Sequence, residues 1–345
     1  MCPNTAPVTQ GLPAPVPQPA YTGCSDTLRE AFLRRNIPTE AVDLMLASLS
    51  DKTKNQYSVS YKLWWQFCET NNISTYESTV AKVISFLTTE FNKGASYGSL
   101  NSHRSALSLL LGNNIGSDEC IKRLLKGAYK LKPSRPKYTH TWDPQLVLNF
   151  VSKWYPNRDL DLSQLTKKLV ILLALCTAQR VQTLSLIKLE NINISPNGVK
   201  IVITDLIKTS APGRDQPVLF LPYFVDNKNI CPATVLIDYI HVTKNIRDKN
   251  VKNLITTIKK PNKAATAQTI SRWIKLVLSE SGVDTSVFSA HSTRHASTSS
   301  ANSAGVCIDT IRKTAGWTSR SQSFAKFYKL NIINEAEFAE SVCNQ

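Results

Sequence analysis

Near its C-terminal end the chain reads His291-Ser292-Thr293-Arg294-His295, then Ala315-Gly316-Trp317, then Phe324-Ala325-Lys326-Phe327-Tyr328. His291 and Arg294 are three residues apart, so a helix through them places both on one face. Upstream, 169–176 is an unbroken apolar run that reads as a buried helix, continued back through Leu165. Thr177-Ala178-Gln179-Arg180 ends it, so Arg180 leaves a rigid support at a defined place. Short β-rich stretches follow at 192–194, 199–203 and 218–221, separated by the turn-prone Pro196-Asn197-Gly198 and Ala211-Pro212-Gly213-Arg214-Asp215. Helices then return, with Thr266 as N-cap before Ile270, Trp273, Ile274 and Val277, and with Gly305 and Gly316 as helix stops. The predicted fold is mostly α with a small antiparallel β-sheet, an α+β domain over 142–345.

Before it, 25–130 carries apolar residues at helical spacing: Leu28, Phe32 and Leu33; Tyr57, Tyr61, Trp64, Trp65 and Cys68; Val80, Val83, Ile84 and Leu87; Leu100, Leu107, Leu110 and Leu111. An all-helical domain of four or five helices is predicted, with Lys52, Lys54, Lys62, Lys82, Lys93, His103 and Arg104 on its polar faces. Residues 1–24 are rich in proline and poor in charge, and read as a disordered tail. Between 121 and 140 stand Lys122, Arg123, Lys126, Lys130, Lys132, Arg135 and Lys137, with no acidic residue and with Pro133 and Pro136 opposing helix. This is read as an extended basic linker, its domain boundary at 131–141. A solvated tether is the bland alternative; a tether crossing a nucleic-acid groove is the functional one.

The 345 residues carry a formal net charge of +16, which selects a polyanion as partner: DNA, RNA or an anionic membrane surface. The longest apolar run is too short to span a bilayer, and the first residues lack the order of a signal peptide, so a soluble, intracellular protein is expected. The eight cysteines are scattered singly, without metal-ligand spacing, which argues against a zinc site or a disulfide scaffold and for a reducing compartment.

Breaking a phosphodiester without a metal requires cations on the non-bridging oxygens, a nucleophile in line with the leaving oxygen and an acid to protonate that oxygen. Arg180, Lys208 between two predicted strands, His291 and Arg294 in HxxR spacing, Gly316-Trp317 and finally Tyr328, in this order, resemble the tyrosine recombinases of the phage integrase superfamily. The helical domain before them resembles that family's core-binding domain, so the likeness covers nearly all of the chain after residue 25. The Ser- and Thr-rich helix after HxxR looks most like recombinases of eukaryotic Crypton- and DIRS-type mobile elements.

The resemblance implies a role for each residue. Arg180 and Arg294 would clamp the phosphate, since guanidinium offers a rigid fork of donors and stays charged. His291 would hydrogen-bond the phosphate or manage the nucleophile's proton. Trp317 stands where many members have His; its indole N–H can donate but cannot exchange a proton. Lys208 would protonate the 5′ leaving oxygen, and Tyr328, the last tyrosine of the chain, would be the nucleophile. His295 has a family precedent and no role legible in the sequence. Two departures stand out: Thr183 occupies a position that is acidic in many members, and the gap from Trp317 to Tyr328 is longer than in bacterial ones.

The expected activity is DNA cleavage and rejoining through a 3′-phosphotyrosine, needing no metal, ATP or other cofactor. Its partner would be double-stranded DNA held between two domains, with Arg104 and the seven basic residues of 121–140 on the backbone. A homotetramer on DNA is expected, joined through the tail 332–345 by Ile332, Ile333, Phe338 and Val342, with the nucleus as location if the source is eukaryotic. The rivals are a type IB topoisomerase and a domesticated, non-catalytic DNA-binding protein. An RNA partner is disfavoured by the lack of an aromatic single-strand platform motif.

Overall fold

Polar residues at helix starts set much of the N-terminal architecture. The computed structural model describes residues 20–112, 114–133 and 138–317, and the chain divides into two compact units, 1–135 and 136–345. In the first unit, the described residues form α1 (Cys24–Arg34), α2 (Thr39–Ala47), α3 (Asp51–Thr70), α4 (Val80–Asn92), α5 (Tyr97–Leu111) and α6 (Glu119–Leu131). Ser50, Thr79 and Ser96 cap α3, α4 and α5 by accepting the amides of Thr53, Lys82 and Ser99. Asp118 caps α6 by accepting two. Each such cap satisfies an amide that the helix leaves without a partner and stabilises by about 1 kcal/mol.

The core of this unit is built from Leu28, Tyr61, Trp64, Phe86, Leu100, Leu107 and Leu110, all buried. Two of its large aromatic residues also make polar bonds: Tyr61 Oη donates to the Ala106 carbonyl (3.0 Å) and Trp64 Nε1 to that of Thr75 (3.0 Å).

Four expectations are corrected here. There are six helices among the described residues rather than four or five. The first half of 121–140 is not extended: α6 runs through it, because Ile121, Leu125 and Ala128 recur at helical spacing and are buried. His103 does not lie on a polar face; it is 7% exposed, hydrogen-bonded to Ser60 (2.9 Å) and edge-on to Phe86, and burial lowers its basicity. Tyr21, placed in the tail, packs on Trp65 (5.7 Å) and bonds Ser58 (2.8 Å). Residues 1–19 of the expected tail lie outside the described residues.

In the second unit, α7 (Pro144–Ser152) is followed by α8 (Leu162–Thr177), which is buried on nearly every side. It is surrounded by α7, α9 (Val181–Ser185), α10 (Pro232–Thr243), α11 (Ala267–Glu280), α12 (Ser292–Ser303) and the strand Val218–Pro222. Even the fully buried Lys168 of α8 is satisfied: its ammonium donates to the Trp154 carbonyl and to Asn157 Oδ1 (2.9 Å). A short α13 (Ile308–Thr314) follows α12.

Strands β1 (Ile192–Ser195), β2 (Gly198–Val202) and β3 (Val218–Pro222) form an antiparallel sheet in sequential order. The register pairs Ile192 with Ile201 and Val199 with Leu221, so Val199, Ile201, Leu219 and Leu221 face the core while Lys200 and Phe220 face outward. Gly198 is required at the β1–β2 turn, since its φ is +144° and a Cβ there would lie 2.5 Å from the Leu221 carbonyl oxygen. The fold class is therefore mostly helical with one small antiparallel sheet, and Thr266, Gly305 and Gly316 act as expected at helix ends. No helix among the described residues is long and apolar enough to cross a membrane.

Candidate active site

The end of α8 opens the site. Ala178, directly after Thr177, has the left-handed conformation (φ 49°, ψ 24°), which a side-chain-bearing residue adopts only at a cost and which turns the chain sharply. The turn aims the Ala178 carbonyl inward, sends the Gln179 side chain to the Thr314 carbonyl (Nε2–H donating, 2.6 Å) and leaves Arg180, half-buried, at the start of α9. Thr183 is buried in α9.

Helix α12 supplies the second wall. His291 is its N-cap residue and stands at the solvent edge, while Ser292, Thr293, Arg294 and His295 are buried just behind it. The hydroxyls of Ser292 and Thr293 donate to the carbonyls of Ser289 (2.7 Å) and Ala290 (2.8 Å), so the polar first turn is satisfied locally. Arg294 is 0% exposed and spans to two other segments, Nη1 donating to the Ala178 carbonyl (2.6 Å) and Nη2 to that of Ala315 (3.0 Å).

Gly316, with φ 68°, ends α13 and delivers Trp317, whose ring lies 4.9 Å from the Arg294 guanidinium carbon. Arg214, in the connection between β2 and β3, donates to the Gly316 carbonyl (3.3 Å). Segments 178–180, 214, 291–295 and 314–317 are thus fastened together by side-chain-to-carbonyl bonds.

Lys208 lies in that same β2–β3 connection, exposed, beside Ile207, which is buried and whose amide donates to Ser210 Oγ (2.9 Å). Its charge reaches His291. The His291 imidazole is held down to a pKa of about 4, first by the protein packed around it and then by the positive fields of Arg294, His295, Arg180 and Lys208. His291 is exposed at the mouth of the site, and its four cationic or basic neighbours and the helix N-terminus all favour the neutral ring. Among the described residues, Arg294, His295, Arg180 and Lys208 all act on this histidine with positive charge, which suits the place to an anion.

The structure therefore brings Arg180, Lys208, His291, Arg294 and Trp317 together, although they are spread over 138 positions of sequence. Tyr328 lies outside the described residues, as do Arg135 and Lys137. Of the other basic candidates, Lys122, Arg123, Lys126 and Lys130 are exposed on α6 at spacings that give it one basic face, though Lys122 also pairs with Glu119 (2.8 Å). Lys132 caps the Gly94 carbonyl (2.8 Å) and Arg104 the Gly116 carbonyl (3.2 Å), so both hold the fold of the helical unit. The site residues not foreseen are Gln179 and Arg214. Gln179 stands in a stretch read only as a helix end and Arg214 in one read only as a turn, and nothing local betrays the carbonyls they reach.

Residues 154–331 match the profile of the phage integrase family. No curated protein matches the chain in sequence. Among solved structures, the chain is similar to the XerH site-specific recombinase bound to a palindromic difH substrate in a post-cleavage complex. There the TM-score is 0.61 at 15% identity, over 93% of this chain and 95% of that one. It is similar to the Tn1549 transposon integrase in complex with circular intermediate DNA (0.55, 13%, over 93% and 99%). It is also similar to a lambda integrase (75–356) dimer bound to a COC′ core site (0.53, 17%, over 87% and 94%). At these identities the structures speak for the fold, and the family profile covers more than half of the chain. The chain belongs to the phage integrase family, the tyrosine recombinases that break and rejoin DNA strands.

Proposed function

We propose that Arg180, Lys208, His291, Arg294 and Trp317 form the active site at which Tyr328 attacks a DNA phosphate. The Tyr328 phenolic oxygen bonds to phosphorus as its proton passes to the neutral His291, the P–O5′ bond breaks, and Lys208 hands its proton to the departing 5′ oxygen. The product is a 3′-phosphotyrosine with a free 5′-hydroxyl. Attack by the 5′-hydroxyl of another strand reverses the step on a new partner, so no external energy source enters. Arg180 and Arg294 carry the charge that accumulates on the non-bridging oxygens, and Trp317 keeps the Arg294 guanidinium plane in place. The single observation that carries this reading is the convergence on His291 of positive charge from three separate segments.

The basic face of α6, together with Arg135 and Lys137, binds the DNA backbone. The reading extends to a homotetramer on DNA joined through 332–345, to a chain acting for a mobile element of the Crypton or DIRS type, and to the nucleus as its place of action. The deciding experiment offers nicked oligonucleotides, from which the cleaved fragment is lost, and looks for a covalent adduct. Peptide mapping is expected to find the nucleotide on Tyr328, and Tyr328→Phe to abolish the adduct while leaving DNA affinity unchanged. A nucleotide on any other residue, or an adduct that survives Tyr328→Phe, refutes the assignment.

A further inference from the structure

Residues 138–142 lie across the segment that carries His291. Tyr138 is 8% exposed; its ring stacks on Phe288 (centroids 5.4 Å apart, planes at 26°) and meets His295 edge-on at 5.1 Å. Its hydroxyl is hydrogen-bonded to Ser289 Oγ (2.9 Å) and accepts from the Ser289 amide (3.3 Å). His140 packs edge-on against Phe288 at 5.6 Å. The buried Trp142 donates its indole N–H to Ser292 Oγ (2.9 Å). These contacts fall on 288, 289, 292 and 295, on both sides of His291. His295, in turn, meets the His291 ring at 5.8 Å.

A tyrosine that only filled space would need its ring and nothing more. Here the hydroxyl grips the backbone two residues before His291, while the ring braces the histidine one turn beyond it. Both ends of the turn that presents His291 are therefore set by one side chain, on chain that is 151 positions away from Ser289.

We propose that Tyr138 is a positioning residue for the strand-cleavage reaction, fixing the place of His291 through Ser289 and His295. This rests on the active-site reading above. The physical stake is large, because a displacement of about 1 Å in a catalytic constellation costs on the order of 10²-fold in rate. Among the described residues, the charged groups that act on His291 include Arg294 and His295 on α12, Arg180 from the α8–α9 turn and Lys208 from the β2–β3 connection. Tyr138 holds the His291 ring within that field through Ser289 and His295.

The test uses the full chain and its Tyr138→Phe variant, which keeps the ring and drops the hydroxyl. Three quantities are read: the thermal midpoint, DNA affinity, and the single-turnover rate of adduct formation on a nicked duplex from pH 5 to 8. Tyr138→Phe is expected to unfold within a degree or two of the parent and bind DNA within two-fold. It should cleave roughly ten-fold more slowly at pH 8. Its rate should fall further below pH 7, a limb absent from the parent, because a loosened His291 returns toward its ordinary value near 6.5. Ser289→Ala, which removes the same bond from the other side, should reproduce the pattern, and serves if Tyr138→Phe proves unstable. Equal rates in parent and variants across the pH range overturn the proposal. So does a slower rate with the parent's pH profile and an equal loss of DNA binding, which would mark a merely structural tyrosine. Adduct formation by the parent separates the two claims: if the parent forms none, the active-site reading fails and this one with it, whereas a Tyr328 adduct with unaltered variant kinetics overturns the role of Tyr138 alone.

Discussion

Arg180 and Arg294 look like an equivalent pair in the sequence, and the structure predicts that their removal has very different consequences for stability. Arg294 is completely buried, and its two terminal nitrogens are donors to the carbonyls of Ala178 and Ala315. Arg294→Ala leaves both oxygens without that donor, at about 1–3 kcal/mol each for a buried polar group. The Trp317 contact is lost as well. Removing a buried cation relieves its own desolvation, which favours the lower part of the resulting range of about 2–6 kcal/mol. That is a large share of the 5–15 kcal/mol typical of a folded protein. For a unit spanning 136–345, each kcal/mol moves the thermal midpoint by about 2–4 °C, so a drop on the order of 5–15 °C is expected. Arg180 is half-buried at a helix start, and Arg180→Ala should stay within about 1 kcal/mol. Arg294→Lys, with one ammonium for two carbonyls, should fall between. Thermal unfolding followed by circular dichroism, checked by urea titration, measures all three. If Arg294→Ala and Arg180→Ala shift the midpoint equally, the bridging role assigned to Arg294 is wrong.

Because it leaves the fold intact, Arg180→Ala is the cleaner probe of charge stabilisation: it should cut the cleavage rate by ~10² to 10³ while DNA affinity changes only a few fold. An equal loss in both would make Arg180 an ordinary phosphate anchor. Lys208→Ala should be rescued by a substrate whose 5′-bridging oxygen is sulfur, a leaving group that needs no proton; rescue of Arg180→Ala to the same extent would remove Lys208 from the role of acid. Binding should be dominated by backbone contacts, with log K falling against log salt at a slope of roughly −7 for about eight phosphates neutralised, and a slope shallower than about −2 is incompatible with the basic face of α6 as a DNA surface.

Local pattern was enough for some of this protein. The run 169–175 is apolar all round because α8 is covered on nearly every side. The alternation in 199–203 and 218–221 is that of strands with one wet face. Thr266, Gly305 and Gly316 mark helix ends because capping and positive φ are properties of one or two residues. HxxR spacing placed His291 and Arg294 on one turn for the same reason. The misreading of α6 was also local in origin: Pro133 and Pro136 restrict the residues at and just before them, and helix persists up to Leu131. The weight of basic charge there hid Ile121, Leu125 and Ala128.

What no pattern could supply is depth and convergence. A letter states that Arg294 is charged; that it is buried follows from carbonyls 116 and 21 positions away meeting its guanidinium. Gln179 reaches Thr314 across 135 positions, Arg214 reaches Gly316 across 102, and Tyr138 reaches Ser289 across 151. Helix and strand are encoded by contacts within a few residues, where periodicity can be read. An active site is encoded by contacts that exist only after the chain has closed on itself, where burial and the summed field of distant charges decide what each side chain does.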